Sequence, residues 1–254
     1  MPKIFASEHT YSYDNYTFGY SLYAQKLGDE LVDLIYEAGF LPYSGNKQSE
    51  TKNLYYMARS ARVKLSSFKL SSENRRIINK FKDYNFCSTE YPASTFLNNE
   101  NMLDFCLEYF KNRHGPNLVS KERLKRMLGY SLETIVVEYK NKENKIYAYV
   151  IEIHGNKCVH YWFSFYDLSL IHQSLGMWLM INRVLKAQKE RREYCYLGTV
   201  YGDKALYKTN IPSLEHWNGK EWIEDTDYLK KRARTDKNRV VSQSDEFKML
   251  NNEN

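Results

Sequence analysis

Cysteine is scarce in this chain of 254 residues, and its thiols lie far apart. The four cysteines are Cys87, Cys106, Cys158 and Cys195. They do not form a pair with the close spacing of a structural zinc site, so we expect no metal. Cys158 and His160 share a face of a predicted strand, but two side chains without further ligands indicate packing. Dispersed thiols fit a reducing compartment, and we expect a cytoplasmic protein.

Long apolar runs are also absent. No window approaches the ~18 consecutive apolar residues of a membrane-spanning helix, so we expect no membrane segment. The first five residues contain no apolar stretch of signal-peptide length, so we expect no secretory signal. No internal repeat or low-complexity block is visible in the sequence.

Tyrosine, in contrast, is abundant, with 23 Tyr against 12 Phe and 4 Trp. An aromatic content of 15% excludes a largely disordered chain. The length corresponds to one large domain or two small ones, and it is sufficient for a core without disulfides or metals. Lys and Arg outnumber Asp and Glu by 37 to 31, and this net charge of +6 permits an anionic partner without requiring one.

Helical spacing and capping residues mark the first half of the chain. Leu27, Leu31, Leu34 and Ile35 are spaced as the buried face of a helix, which we expect to end at Gly39. The further predicted elements are a strand over 61–68, a basic helix over 75–81 capped by residues 71–74, and helices over 98–113 and 120–128.

In the second half the period changes to that of strands. Three runs, 134–139, 146–153 and 158–165, are joined by tight turns and predict an antiparallel meander. A turn containing glycine, a long helix to about Arg192 and a short strand over 194–198 follow. This order resembles the GNAT acyltransferase core, so we predict a mixed α/β fold with a GNAT-like core and a smaller N-terminal α/β portion. The predicted regions are 1–95, 96–226 and a basic, disordered tail over 227–254.

The turn before the long helix differs from that of acetyl-CoA-dependent GNAT proteins. In those proteins the turn reads Q/R-x-x-G-x-G/A, and its backbone N–H groups bind pyrophosphate. Gln173 and Gly176 match this pattern, but Trp178 stands at the second glycine position. We expect the tryptophan to obstruct a pyrophosphate, which argues against acetyl-CoA as a substrate.

Short motifs in a fixed order, covering about residues 35–225, are more specific than this turn. They are Gly39-Phe40, Ala61-Arg62-Val63, Phe68 to Arg76, Tyr109 to Gly115, Phe165-Tyr166-Asp167, Ser174-Leu175-Gly176, Tyr196-Leu197-Gly198, Lys204 to Lys208, and Trp217 or Trp222. Their order resembles the aminoacyl-tRNA–protein transferases, both the arginyltransferases and the bacterial leucyl- or arginyl-transferring relatives. The resemblance implies transfer of arginine or leucine from aminoacyl-tRNA to the N-terminal amine of proteins that begin with acidic residues, the tagging step of the N-degron pathway.

The N-terminal half departs from the pattern of this family. Members carry cysteines there that have been linked to metal or iron–sulfur binding. Here Tyr55 and Ala58 stand at the loop positions, and the first 86 residues contain no cysteine. We therefore expect no metal and no cofactor. Leu41-Pro42 also replaces two arginines of the family.

The implied reaction suggests roles for particular residues. Asp167 is expected to orient or deprotonate the amine, and Tyr166 to polarise the carbonyl or stack on the terminal adenine. The expected donor and tRNA contacts are Ser174, Leu175, Gly176, Lys204, Tyr207 and Lys208. The expected contacts of the acidic acceptor are Arg62, Lys69, Ser71, Asn74, Arg75 and Arg76, because cations bind carboxylates.

Two other functions remain open from the sequence. The GNAT-like order of elements is compatible with a CoA-dependent N-acetyltransferase. The loss of the family cysteines is compatible with a non-catalytic relative that binds tRNA or degrons. For the main prediction, the expected partners are aminoacyl-tRNA and proteins with acidic N-termini, with no membrane partner. We expect a monomer.

Overall fold

The computed structural model describes residues 2–8, 20–28, 31–44, 52–115 and 119–236, and every element below lies in these ranges. The strands are β1 (Lys3–Glu8), β2 (Tyr20–Gln25), β3 (Phe40–Pro42), β4 (Leu54–Met57), β5 (Ser60–Lys64), β6 (Cys87–Pro92), β7 (Thr134–Lys140), β8 (Ile146–His154), β9 (Cys158–Tyr166), β10 (Tyr194–Thr199), β11 (Leu214–Trp217) and β12 (Trp222–Ile223). The α-helices are α1 (Val32–Glu37), α2 (Ser72–Lys80), α3 (Glu100–His114), α4 (Lys121–Leu128), α5 (Leu175–Lys189) and α6 (Thr226–Thr235). Short 3₁₀ helices cover Lys82–Tyr84, Ala93–Phe96, Leu168–Gln173 and Asp203–Asn210.

The large sheet contains the predicted core. Its order is β12-β11-β5-β10-β9-β8-β7-β6. Strands β7, β8 and β9 form an antiparallel meander, and β10 returns parallel to β9 after α5. The predicted mixed α/β class and the GNAT-like order of meander, helix and parallel strand are confirmed.

A smaller antiparallel sheet, in the order β1-β2-β4-β3, lies in the N-terminal portion. The helix predicted from Leu27 begins only at Val32, and its buried face is formed by Val32, Ile35 and Tyr36. These three residues have the same helical spacing in a different phase, so the predicted stripe is wrong except at Ile35. The exposed positions are Leu27, Leu31 and Leu34.

The predicted region boundaries cross shared structure. Strand β5 belongs to the predicted region 1–95, yet it lies between β10 and β11 in the large sheet. The predicted disordered tail begins at residue 227, whereas the structure has helix α6 there, with Leu229 and Ala233 fully buried. The part of the tail over 237–254 lies outside the described residues.

Two motifs that are far apart in the sequence meet at Gly39. This glycine has a φ of +83°, and a Cβ on it would lie 2.2 Å from the indole of Trp217. Residue 39 must therefore adopt a left-handed conformation and also leave room for a ring. The contact explains why a glycine after α1 occurs together with a tryptophan at the end of β11.

Gly39→Ala is expected to destabilise the protein by about 2–5 kcal/mol, since left-handed strain of ~1–2 kcal/mol adds to overpacking of ~1–3 kcal/mol. Denaturant titration followed by tryptophan fluorescence measures this loss. Gly115→Ala is a control for the backbone strain alone, because φ is +98° there and a Cβ would meet nothing within 4 Å. An equal loss in the two variants would contradict the role of Trp217.

A charged network crosses the core between α5 and the meander. Arg183 donates two hydrogen bonds of 2.8 Å to Glu152 and one of 2.7 Å to Glu90. Arg183 is 2% exposed and Glu152 is fully buried. Burial opposes ionisation of Glu152, but the charge of Arg183 and the hydrogen bonds of His154 and Arg183 outweigh it and hold the pKa of Glu152 at about 2. The network fixes α5 against β8.

Candidate active site

Strands β9 and β10 separate after three paired residues. They pair in parallel only from Cys158 to His160, opposite residues 194–196. The register of β10 on β5 then shifts before Gly198, whose φ is +81°. Strand β9 continues beside β8 to Tyr166. The pairing of the two strands ends at this point, and we call the region between them beyond it the β9–β10 cleft.

His160 lies at the base of the β9–β10 cleft and is 1% exposed. Its Nδ1 is 2.8 Å from the hydroxyl of Tyr36 in α1. Its Nε2 has no hydrogen-bond partner among the described residues and lies 3.6 Å from the position of a Cβ on Gly198. Burial, together with the charge of Lys208, lowers the pKa of His160 to about 3, so the imidazole is neutral at pH 7.

Lys208 places its ammonium group beside the same glycine. Its Nζ lies 3.6 Å from the Cβ position of Gly198 and donates a hydrogen bond of 2.7 Å to the carbonyl of Thr199. An ammonium group has three donors, so this bond leaves donors for a ligand. Burial lowers the pKa of Lys208 to about 8. A lysine with a pKa moved toward neutrality in a cleft is typical of functional sites.

Tyr166, the last residue of β9, packs over the beginning of α5. A Cβ on Gly176 would lie 2.9 Å from the Tyr166 ring and hydroxyl, so the close packing requires glycine. The ring of Tyr166 is 4.9 Å from that of Tyr109 in α3. Burial, and then the charge and hydrogen bond of Tyr166, raise the pKa of Tyr109. The two hydroxyls therefore form a pair at the start of α5.

Basic side chains lie near Tyr109 at the end of α3, and we call Arg113, His114 and Lys204 the basic rim. Burial and the positive charges of Arg113 and Lys204 lower the pKa of His114. The end of α3 therefore lies close to the 3₁₀ helix Asp203–Asn210. On that helix Tyr207 is 44% exposed, and its ring centre lies 6.0 Å from Lys208 Nζ.

Trp178 does not obstruct the turn in the predicted way. Its indole points into an aromatic cluster, with ring centres 5.8 Å from Phe81, 5.1 Å from Phe86 and 5.8 Å from Tyr139. The ring of Tyr166 covers Gly176 instead. The argument against a bound pyrophosphate therefore rests on Tyr166.

Asp167 caps the 3₁₀ helix that follows β9. Its Oδ1 accepts hydrogen bonds from the backbone N–H and the hydroxyl of Ser169, and its Oδ2 lies 3.5 Å from Lys145 Nζ. Partial burial opposes ionisation, but these bonds lower the pKa of Asp167. Its backbone N–H bonds to Tyr147 in β8, on the side of β9 away from β10. The structure does not bring this carboxylate together with Lys208.

Most of the proposed acceptor residues lie at the start of α2, far from the β9–β10 cleft. Phe81, at the end of α2, packs on Trp178 near the start of α5, while Gln188 near the end of α5 bonds to the carbonyl of Phe68. The two helices are therefore antiparallel, and about 20 Å of α5 separates the two clusters at 1.5 Å per residue. The residues placed at this distant end are Lys69, Ser71, Asn74, Arg75 and Arg76.

Local contacts already engage several of these side chains. Ser71 and Asn74 form a capping box with hydrogen bonds of 3.1 and 3.4 Å. Arg75 bonds to the carbonyl of Leu70, and Arg76 pairs with Glu73. Lys69 is exposed.

Arg62 is separate from this group and lies in a box of aromatic and acidic side chains. Its guanidinium bonds to Glu215 at 2.7 Å and to Glu37 at 2.6 Å. It also lies 3.7 Å from the ring centre of Tyr194 and 4.2 Å from that of Trp222. A carboxylate ligand would have to displace two carboxylates of the protein, so we do not retain Arg62 as an acceptor contact.

The sequence alone does not indicate the groups that surround Lys208. From the sequence His160 is a packing residue, and Tyr36 has no predicted role. The motif Tyr109 to Gly115 likewise suggests no separate role for Arg113 or His114. The order of the motifs was the available signal, since Arg-His at the end of one helix and Lys-x-x-x-Lys after the last core strand lie close together in the structure.

No group of three or more His, Cys, Asp or Glu side chains that could hold a metal ion is found among the described residues. In the same part of the chain, no helix has the length and apolar composition needed to cross a membrane.

Residues 101–217 match the family model described as the C terminus of arginine-tRNA-protein transferase. The matched segment runs from α3 to β11 and contains His160, Tyr166, Lys204 and Lys208. No curated protein is significantly similar to the sequence.

Solved structures show a distant likeness. One is described as the C-terminal domain of a lysylphosphatidylglycerol synthetase from Agrobacterium fabrum, with 13% identity and a TM-score of 0.45 over 60% of this chain and 50% of that chain. L-PGS from Bacillus licheniformis has 14% identity and a TM-score of 0.42 over 60% and 50%. FemX has 10% identity and a TM-score of 0.43 over 69% and 62%. The alignment with the first of these spans about half of that structure.

Proposed function

We propose that this chain, whose residues 101–217 match the family model described as the C terminus of arginine-tRNA-protein transferase, transfers arginine or leucine from aminoacyl-tRNA to a protein's N-terminal amine. The acceptors in this proposal begin with Asp or Glu, so that the product is a tagged N-degron. The proposal is carried by Lys208, whose ammonium group lies beside Gly198 with a lowered pKa. The same short helix carries Lys204, which lies close to Arg113 and His114 at the end of α3.

The proposed reaction needs little acid–base chemistry. The acceptor nitrogen forms a bond to the ester carbonyl carbon, the bond from that carbon to the ribose oxygen breaks, and the ribose hydroxyl leaves with a proton from the amine. The α-amine has an unperturbed pKa of about 7.7–8.0, so a large fraction of it is neutral near pH 7.5. Positioning and stabilisation of the negative charge that develops on the carbonyl oxygen are then the main tasks of the protein.

Lys208 is the proposed group for that oxygen. With a pKa of about 8 it is largely protonated at pH 7. Only one donor is used in its bond to Thr199, and the partly buried site strengthens its field relative to water. Tyr166 lies about 20 Å further along β9 than His160 at ~3.3 Å per residue, so we propose it as a stacking surface for the terminal adenine. Asp167 remains ionised but is bound to Ser169 and Lys145, so we do not retain it as the base.

The basic rim is proposed to hold the end of the tRNA. Lys204 provides charge for backbone phosphates, which makes the affinity dependent on salt. The exposed ring of Tyr207 provides a surface on which an unpaired terminal base stacks. Backbone N–H groups of Ser174, Leu175 and Gly176 remain proposed donor contacts near the start of α5.

The acidic side chain of the acceptor requires a cation close to the amine. Arg113 is the proposed partner, because a guanidinium binds a carboxylate in a bidentate manner. Lys69, Ser71, Asn74, Arg75 and Arg76 are too distant for the acceptor's first residue. We propose that they contact the body of the protein substrate.

Transfer of radiolabel from arginyl-tRNA or leucyl-tRNA to peptides that begin with Asp or Glu tests the function. We expect an acid-stable label on these peptides and none on the same peptides with an acetylated N-terminus. Peptides that begin with Ala test the acidic specificity separately.

Each outcome of this assay separates the alternatives. Failure with every charged tRNA would sink the transferase proposal, and tRNA binding without turnover would identify a non-catalytic relative. Label from acetyl-CoA, together with a higher melting temperature in its presence, would identify an N-acetyltransferase.

A further inference from the structure

The loop that leads into the helix of Lys208 is held from both sides. It covers residues 200–202, between β10 and the 3₁₀ helix Asp203–Asn210. Arg59 Nε donates to the carbonyl of Val200 at 2.8 Å, and the backbone N–H of Arg59 donates to the Tyr201 hydroxyl at 2.9 Å. The Arg59 guanidinium also lies 4.6 Å from the centre of the Tyr201 ring.

Asp236 completes this arrangement from the end of α6. Its Oδ2 accepts a hydrogen bond of 2.7 Å from the backbone N–H of Gly202, and the same oxygen pairs with the guanidinium of Arg59. Asp236 is 5% exposed and Arg59 is 2% exposed. The desolvation of two buried charges costs free energy, and the attraction between them can be too small to offset this cost. We therefore interpret the Arg59–Asp236 pair as a contact that fixes geometry rather than one that stabilises the fold.

Helix α6 itself is packed so that Asp236 reaches the loop. Leu229 and Ala233 are fully buried, and α6 contacts both β11 and the 3₁₀ helix Asp203–Asn210. The ring of Tyr228 stacks on that of His216 with centres 6.1 Å apart. The helix lies beyond residue 217, where the family match ends.

We propose that Arg59 and Asp236 are positioning residues for the reaction, and we call this pair the loop latch. Gly202 is the residue immediately before the helix that carries Lys208, and the loop latch fixes its N–H. The latch thereby holds Lys208 Nζ against the carbonyl of Thr199 and beside Gly198. The proposal deepens the proposed function, on which it rests, and assigns a role to the C-terminal helix.

Asp236→Asn is the variant that tests the loop latch with least disturbance. It retains an oxygen that accepts from Gly202 but loses the charge that binds Arg59, so we expect it to fold. Asp236→Ala removes both contacts and is expected to act in the same direction more strongly. Asp227→Asn is the matched control, because Asp227 lies on the same helix, is 92% exposed and pairs only with Lys230 in the described structure.

The pH dependence of Lys208 acetylation by acetic anhydride, read by mass spectrometry, requires no turnover. In the wild type we expect a midpoint near 8. In Asp236→Asn, release of the loop exposes the amine, and the midpoint moves upward by about one unit or more toward the unperturbed value of about 10.4. The Asp227→Asn midpoint stays at the wild-type value.

Transfer kinetics provide the second measurement. Loss of positioning is expected to lower kcat about tenfold while KM for aminoacyl-tRNA stays within about twofold. An unchanged acetylation midpoint in both Asp236 variants would overturn the latch. A wild type without transferase activity would overturn the proposed function but leave the acetylation test of the latch intact.

Discussion

Lys208→Met is expected to lower kcat/KM for aminoacyl transfer by about 10²–10³-fold, the cost of removing one preorganised donor from a developing oxyanion. Methionine matches the length of the lysine stem but offers no charge and no donor. The measurement is the rate of radiolabel transfer to an Asp-starting peptide under conditions where aminoacyl-tRNA is limiting. Circular dichroism of the variant checks that the fold is retained.

The pH profile separates the charge of Lys208 from its bulk. The folded pKa of about 8 lies below the unperturbed value, so the ammonium is lost as pH rises through about 8. The amine nucleophile gains reactivity over nearly the same range, because its unperturbed pKa is about 7.7–8.0. We therefore expect a narrow optimum near pH 8 in the wild type.

Lys208→Arg is the control for this profile. Arginine stays protonated up to about pH 12, so the descending limb is expected to disappear even if the absolute rate falls. Lys204→Met removes a charge from the basic rim and is expected to weaken binding and its salt dependence without shifting the optimum. A Lys208→Met enzyme with wild-type kcat/KM would contradict the role of the ammonium group.

Arg183→Ala is expected to destabilise the fold by about 3–5 kcal/mol, because it leaves a fully buried carboxylate without its cation. Glu152 accepts two hydrogen bonds from Arg183, and after the substitution it keeps only its contact of 2.8 Å with His154 Nε2. The free energy of unfolding from urea titration at pH 7 measures the loss.

The double variant Glu152→Leu/Arg183→Met is the matched control. It removes both charges and keeps apolar volume, so it is expected to be more stable than Arg183→Ala.

The sign of the pH effect is a further check. The folded pKa of Glu152 is lowered to about 2, so its contribution is present above pH 4.5 and is lost as pH falls toward 2. In Arg183→Ala this acid-sensitive contribution to stability should vanish. A decrease in the free energy of unfolding at pH 7 of less than about 1 kcal/mol would contradict the role of the network.

Local patterns in the sequence predicted much of the core. Three strand-like runs joined by tight turns over 134–165 predicted the meander. Ser71 and Asn74 predicted a helix start because their side chains satisfy backbone groups within three residues. These interactions involve neighbours in the chain, and for that reason the residues themselves are sufficient to indicate them.

The phase of α1 shows where local reasoning fails. Two overlapping stripes in residues 27–36 have helical spacing, and only packing decides which is buried. Val32, Ile35 and Tyr36 face the core. Tyr36 is required there because it contacts His160, a residue 124 positions away in the sequence.

In the candidate site, too, local sequence patterns indicate some features and tertiary packing decides the others. The sequence by itself determined the order of the motifs, the GNAT-like arrangement of strands and the residue types available for chemistry. Only the tertiary structure decided that Lys208 lies beside His160, that Asp167 is bound to Lys145, and that the residues at the start of α2 lie at the opposite end of α5. The physical reason is that proximity, burial and pKa depend on strands and helices meeting from distant parts of the chain, whereas residue types and periodicity are properties of the chain alone.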